Sequence, residues 1–169
     1  MLWNIKKMKK LVIGSSLVFF AAIANAEEHT LTTYSVMSAP ELLDVTPSGP
    51  SVGDMYLRRG EIALSADGPP VGEYYSQATI VYLDADKMAS ARKYSREIAL
   101  REGSIYAMDF VQTETANPTE KERDHKHEGT IIGGTGAYAG IRGTYTLEVL
   151  PSGEEGKIAK TVYTYWLGQ

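Results

Sequence analysis

Among the carboxylates that lie in, or open, segments that read as β-strands are Asp54, Glu61 and Asp109. A carboxylate on a strand usually faces water. One that faces a closed interior must be paired or used, and its pKa can then rise far enough for general acid or base work. These three are the candidate catalytic acids of the chain. Asp109 is the most conspicuous, because it interrupts the largely apolar run Ile105 to Gln112. Asp54 has a plainer reading as well: an aspartate at a strand start can anchor it by accepting backbone hydrogen bonds. Arg59, Arg92, Arg96 and Arg142 occupy strand-like segments too, and a solvated face serves them equally well.

Other chemistries are limited by residue type. There is no cysteine, so thiol catalysis and cysteine-ligated metals are excluded. No serine sits in a nucleophile-elbow context. His125 and His127 form a His-x-His pair, and alternate residues on a strand share one face, within reach of one metal ion. The flanking run is heavily charged, however, and His29 is the one other histidine. The pair therefore reads as a solvated loop, and no metal is expected. Gly134-Thr135-Gly136, after Ile131 and Ile132, imitates a dinucleotide fingerprint, which requires a helix next. Tyr138, Gly140, Ile141, Gly143 and Thr144 follow instead and are poor helix formers. No cofactor is expected.

Tyrosine is the dominant aromatic, with eleven against three phenylalanines. Strand packing accounts for most of them. A tyrosine also buries a large ring while keeping a polar tip that needs a partner. Tyr106, Tyr138, Tyr145, Tyr163 and Tyr165 are the candidates to line a lumen around a small apolar or oxygenated ligand.

The elements that must position these residues are strands. Residues 1–26 stand apart as a secretory signal peptide: Lys6, Lys7, Lys9 and Lys10, an apolar run from Leu11 to Ala22, and the small-x-small site Ala24-Asn25-Ala26. Cleavage is expected after Ala26, with either Met1 or Met8 as the start. That gives a secreted or periplasmic protein with no stable membrane insertion after cleavage. The mature domain, residues 27–169, carries a net charge near −8 once the leader's lysines are gone, which argues against nucleic acid as a partner.

Strands are expected at His29–Met37, Asp54–Leu64, Gln77–Asp84, Arg92–Leu100, Ile105–Gln112, the run ending at Ile132, Gly143–Leu150 and Ile158–Leu167. Short helical turns are expected at Glu41–Leu43 and within Ala85–Ala91, a turn at Asp67–Gly72 and an exposed loop at Thr113–His127. Neither face of Asp54–Leu64 is cleanly apolar, as in barrels with a polar lumen. The fold expected is all-β, a closed antiparallel barrel of about eight strands preceded by a signal peptide.

A family resemblance enters at the glycine-rich corner. Gly133-Gly134-Thr135-Gly136, Ala137-Tyr138 and Gly140-Ile141-Arg142-Gly143 resemble the hallmark turn of the allene oxide cyclase and dirigent barrels. Val52-Gly53-Asp54 and the hairpin at Glu102-Gly103-Ser104 extend the likeness over roughly Gly53 to Val149. The resemblance implies a barrel with a ligand pocket, often a trimer, and so a homo-oligomer. In dirigent proteins the arginine of the Arg-Gly pair and acids at the cavity mouth guide and deprotonate the ligand. Arg142 matches that arginine and becomes a candidate anion partner. Ala137 stands where dirigent proteins carry an acid, and Gly60-Glu61 replace a polar pair of the plant cyclases, so neither plant reaction carries over. The expectation is a small-molecule-binding barrel, with a cofactor-free cyclase or isomerase as the catalytic version. The alternative is a non-catalytic ligand-binding or structural barrel.

Overall fold

The computed structural model describes residues 27–46, 49–84, 89–113, 126–150 and 158–168. The expected signal peptide and His125 lie outside these residues. The described residues form nine strands in chain order: β1 Glu28–Val36, β2 Glu41–Leu43, β3 Met55–Ala63, β4 Pro70–Asp84, β5 Ala89–Leu100, β6 Gly103–Thr113, β7 His127–Gly134, β8 Arg142–Leu150 and β9 Ile158–Trp166. Strands β3 to β9 form an antiparallel meander. β1 pairs with β9 along nine residues and with β3 through Tyr34–Ala63 and Ser35–Ile62. That last pairing closes an eight-stranded barrel, and β2 is a short addition on the edge of β3.

Four expectations are corrected. Glu41–Leu43 is extended rather than helical, because it pairs with Met55–Leu57 of β3. Pro70, read as part of a turn, opens β4, where a first position needs no ladder donor. Ala89–Ala91 belong to β5, paired with the end of β4, rather than to a helical turn. His127 is the first residue of β7, paired with Leu147, rather than part of a solvated loop.

Side chains alternate between lumen and outside. Ile62, Ile98, Ile105, Ala107, Ile131, Ile141, Tyr145, Leu147, Ala159 and Tyr163 form one buried cluster inside the barrel. It fills the half of the lumen toward the glycine corner. Fully burying an isoleucine such as Ile105 or Ile141 stabilises by about 1.5–3 kcal/mol.

The corner itself contains one 3-10 turn, Gly136–Tyr138, between β7 and β8. It docks on the β5–β6 hairpin: Thr135 N–H donates to Ser104 O at 2.9 Å, Ala137 N–H to Glu102 O at 2.9 Å, and Ser104 N–H to Thr135 Oγ1 at 3.0 Å. Both contacting positions are glycines at positive φ, Gly103 at 149° and Gly136 at 58°. A methyl group on either would lie 2.1–2.2 Å from a carbonyl oxygen of the other turn.

Candidate functional site

Above the apolar plug the lumen turns polar. Tyr94 on β5 lies directly across from Asp109 on β6, and Arg96 from Ala107. Arg96, Asp109, Tyr145 and His127 therefore converge from β5, β6, β8 and β7. Arg96 Nε lies 3.3 Å from Asp109 Oδ1, and Nη2 lies 3.4 Å from Oδ2. Arg96 Nε donates to Tyr145 Oη at 2.8 Å. His127 Nδ1 lies 3.4 Å from Asp109 Oδ2. The Asp109 side chain has no solvent exposure, against 13% for Arg96 and 16% for His127. Tyr94 meets the edge of the His127 ring at 5.7 Å, and its face carries the Arg96 guanidinium at 4.9 Å.

Glycine makes this convergence geometrically allowed. A Cβ on Gly129 of β7 would lie 2.3 Å from the Tyr145 ring and 2.7 Å from Met108 O. Gly129 and Tyr145 are direct cross-strand neighbours, so the ring lies over bare backbone. A Gly129→Ala substitution is expected to push Tyr145 off Arg96 and to cost about 1–3 kcal/mol by overpacking. Thermal melts and the Tyr145 ring resonances measure both effects; an unshifted ring and melt would contradict the assignment.

Burial pushes the Asp109 carboxyl up, but His127, Arg96 and the Tyr145 hydroxyl together outweigh it. They hold the group below the usual carboxylate range. Burial raises the Tyr145 phenol above its ordinary value, with the Arg96 charge opposing. Tyr163 is raised for the same leading reason. The layer therefore combines a carboxylate held ionised, a guanidinium, an imidazole and a protonated phenol. Such a set can accept, hold and return a proton on a bound molecule.

Further from the glycine corner, Arg92 lies across from Ile80 and Val111, with its guanidinium 4.9 Å over the Tyr56 ring. Its Nε is buried without a hydrogen-bond partner. Among the described residues no group of three or more His, Asp or Glu side chains is placed to hold a metal.

The model of the allene oxide cyclase barrel-like domain matches residues 31–160. The chain belongs to that family. Several solved structures share the barrel. Pyocyanin demethylase has 22% identity and a TM-score of 0.60, covering 81% of this chain and 99% of its own. The Diels Alderase AbmU from Streptomyces koyangensis has 13% identity and a TM-score of 0.59, covering 87% and 72%. A pterocarpan synthase dirigent protein has 14% identity and a TM-score of 0.56, covering 85% and 97%. At these identities the likeness is one of fold. No curated protein matches the chain by sequence.

Within this family barrel the residues singled out from sequence are scattered. Asp109, Tyr145 and Tyr163 lie in the lumen, with the Tyr145 and Tyr163 rings 6.0 Å apart. Tyr165 lies at the glycine-corner end, stacked on His29 and meeting Tyr138 edge-on. Asp54 is buried, but it is used up by its own loop: it accepts from Val45 N at 3.0 Å, Ser51 N at 2.7 Å and Ser51 Oγ at 2.7 Å. Those hydrogen bonds, led by the one from Val45, lower its pKa. Glu61 is exposed on the outer face of β3, and Tyr106 points outward from β6. Arg142 is exposed and donates to Ile141 O at 2.6 Å, away from the polar lumen.

Arg96, His127 and Tyr94 are the members of the site that sequence reasoning did not select. Their signal was parity, since each falls on the lumen register of its strand. A groove of about 720 Å³ is bordered by Leu57, Arg59, Tyr75, Gln77, Glu97 and Tyr106 and reaches Arg58, Ser76 and Arg96.

Proposed function

We propose that this protein is a secreted or periplasmic small-molecule-binding barrel. The polar half of its lumen orients a reactive, conjugated ligand and moves a proton on it, as a cofactor-independent cyclase or isomerase would. The observation that carries this reading is Asp109: a fully covered carboxylate, kept ionised by Arg96, His127 and Tyr145 in one layer of the lumen. Burying such a group is costly, and a fold that needed only a core could fill the position with an aliphatic residue. Orientation of a flexible ligand by preformed walls contributes up to about 7–11 kcal/mol to a barrier. His127, partly exposed beside Asp109, is the group that meets the ligand, and Asp109 positions it. The names of the related barrels, a demethylase, a Diels Alderase and a pterocarpan synthase dirigent protein, add support from proteins acting on small organic molecules.

One observation favours a second reading, a structural or carrier barrel. The lumen toward the glycine corner is filled by Ile, Leu and Tyr side chains. Native mass spectrometry of the mature protein from its own host separates the cases. A co-purifying small molecule, displaced in a His127→Phe variant, is the expected result. Protein that is always empty, with no mass shift on adding conjugated ligands, would leave the structural reading.

A further inference from the structure

We propose that Arg92 forms a carboxylate-binding subsite at the polar end of the lumen, selecting planar aromatic or conjugated acids over neutral analogues. The inference rests on the reading of the lumen as a ligand site and names the ligand class.

Three observations converge. Arg92 Nε is the buried side-chain polar atom without a hydrogen-bond partner among the described residues. A buried donor left unpaired is costly, so an absent acceptor is the natural completion. Second, the guanidinium lies on the Tyr56 ring. Tyr56 holds one face of the guanidinium and so fixes the plane in which its fork points. Third, the lumen-facing positions of the described strands hold Arg58, Arg92 and Arg96 but one carboxylate, Asp109, already engaged by Arg96 and His127. Among the described lumen positions positive charge therefore exceeds negative, although the chain as a whole is acidic.

Guanidinium geometry sets the ligand class. The Nε edge and its neighbouring Nη form a fork that matches the two oxygens of a carboxylate. An acid seated there projects its conjugated body along the lumen. Arg92 and Tyr94 are two residues apart on one face of β5, and Tyr94 meets His127. The acid group is thus the handle, and the Asp109–His127 layer faces the part that reacts.

The test compares 1-naphthoate with 1-naphthalenemethanol by isothermal calorimetry on the mature chain, with the His127 ring resonance as a reporter of location. The wild type is expected to bind the acid at least about tenfold more tightly than the alcohol, as a charge-assisted fork requires. Arg92→Met should erase that preference while leaving the alcohol within about twofold, Arg92→Lys should keep part of it, and the outward-facing Arg59→Met should change neither. Equal affinities in the wild type, or a preference that survives Arg92→Met, would overturn the subsite while a shifted His127 resonance still supports the lumen. Failure of both probes to bind would overturn the lumen reading and the subsite together. If Arg92→Met does not fold, the wild-type ratio and Arg92→Lys decide.

Discussion

An Asp109→Asn variant is expected to lose about 3–5 kcal/mol of stability, because it leaves the largely covered Arg96 charge without its counterion. For a domain of this size that lowers the melting temperature by roughly 10 °C or more. A double-mutant cycle with Arg96→Met should give much less than the sum of the two single losses, since removing both charges also removes the stranded one. The acid limb gives an independent check. The folded-state pKa of Asp109 lies below its unfolded value. Its contribution is therefore complete above the unfolded pKa of about 4 and is lost as the pH falls through the folded value. Asp54, lowered by its loop, acts in the same direction. Denaturant melts at neutral and acidic pH should show wild type and Asp109→Asn converging in acid. Variants that stay equally far apart at every pH would remove the buried pair from the account.

The second large effect belongs to the glycine corner. Gly136→Ala combines a positive φ with a methyl placed 2.2 Å from Glu102 O, and Gly103→Ala sets one 2.1 Å from Thr135 O. Neither obstacle is a flexible side chain, so the two turns must separate. The left-handed penalty of roughly 1–2 kcal/mol adds to an overpacking cost of about 1–3 kcal/mol. Gly133 belongs to the same motif, but a Cβ there meets nothing within 4 Å. Gly133→Ala should stay within about 0.5 kcal/mol of wild type. Melting the three variants side by side checks this. Equal losses at Gly133 and Gly136 would mean that strand propensity, rather than docking of the corner, makes these glycines necessary.

The architecture was legible because strand alternation and turn chemistry are local signals. Asp54–Leu64 and Ile105–Gln112 differ from β3 and β6 by one or two residues at each end. The two-faced pattern of β6 was also readable, but not which face pointed inward. That choice is made by closure of the whole barrel, and it sent Asp109 to the lumen and Tyr106 outside. Glu41–Leu43 misled because three residues carry no period; only the edge of β3 makes them a strand. His127 was obscured by charged neighbours, since composition averages over a window whereas β7 begins within it. Arg92 and Arg96 were visible as charges in strands. The stacking of Arg92 on Tyr56 was not, because it depends on alignment between strands that no local pattern encodes.

The seam of the barrel has a consequence for how it is made. β1 sits between β9 and β3, held by nine pairs on one side and two on the other. The earliest strand to emerge is thus completed by the last, and β3, its other neighbour in the sheet, holds it through two pairs alone. A chain halted before β9 has an N-terminal stave with nowhere to lodge and a cylinder left unhooped. Assembly must wait until the C-terminus has been delivered.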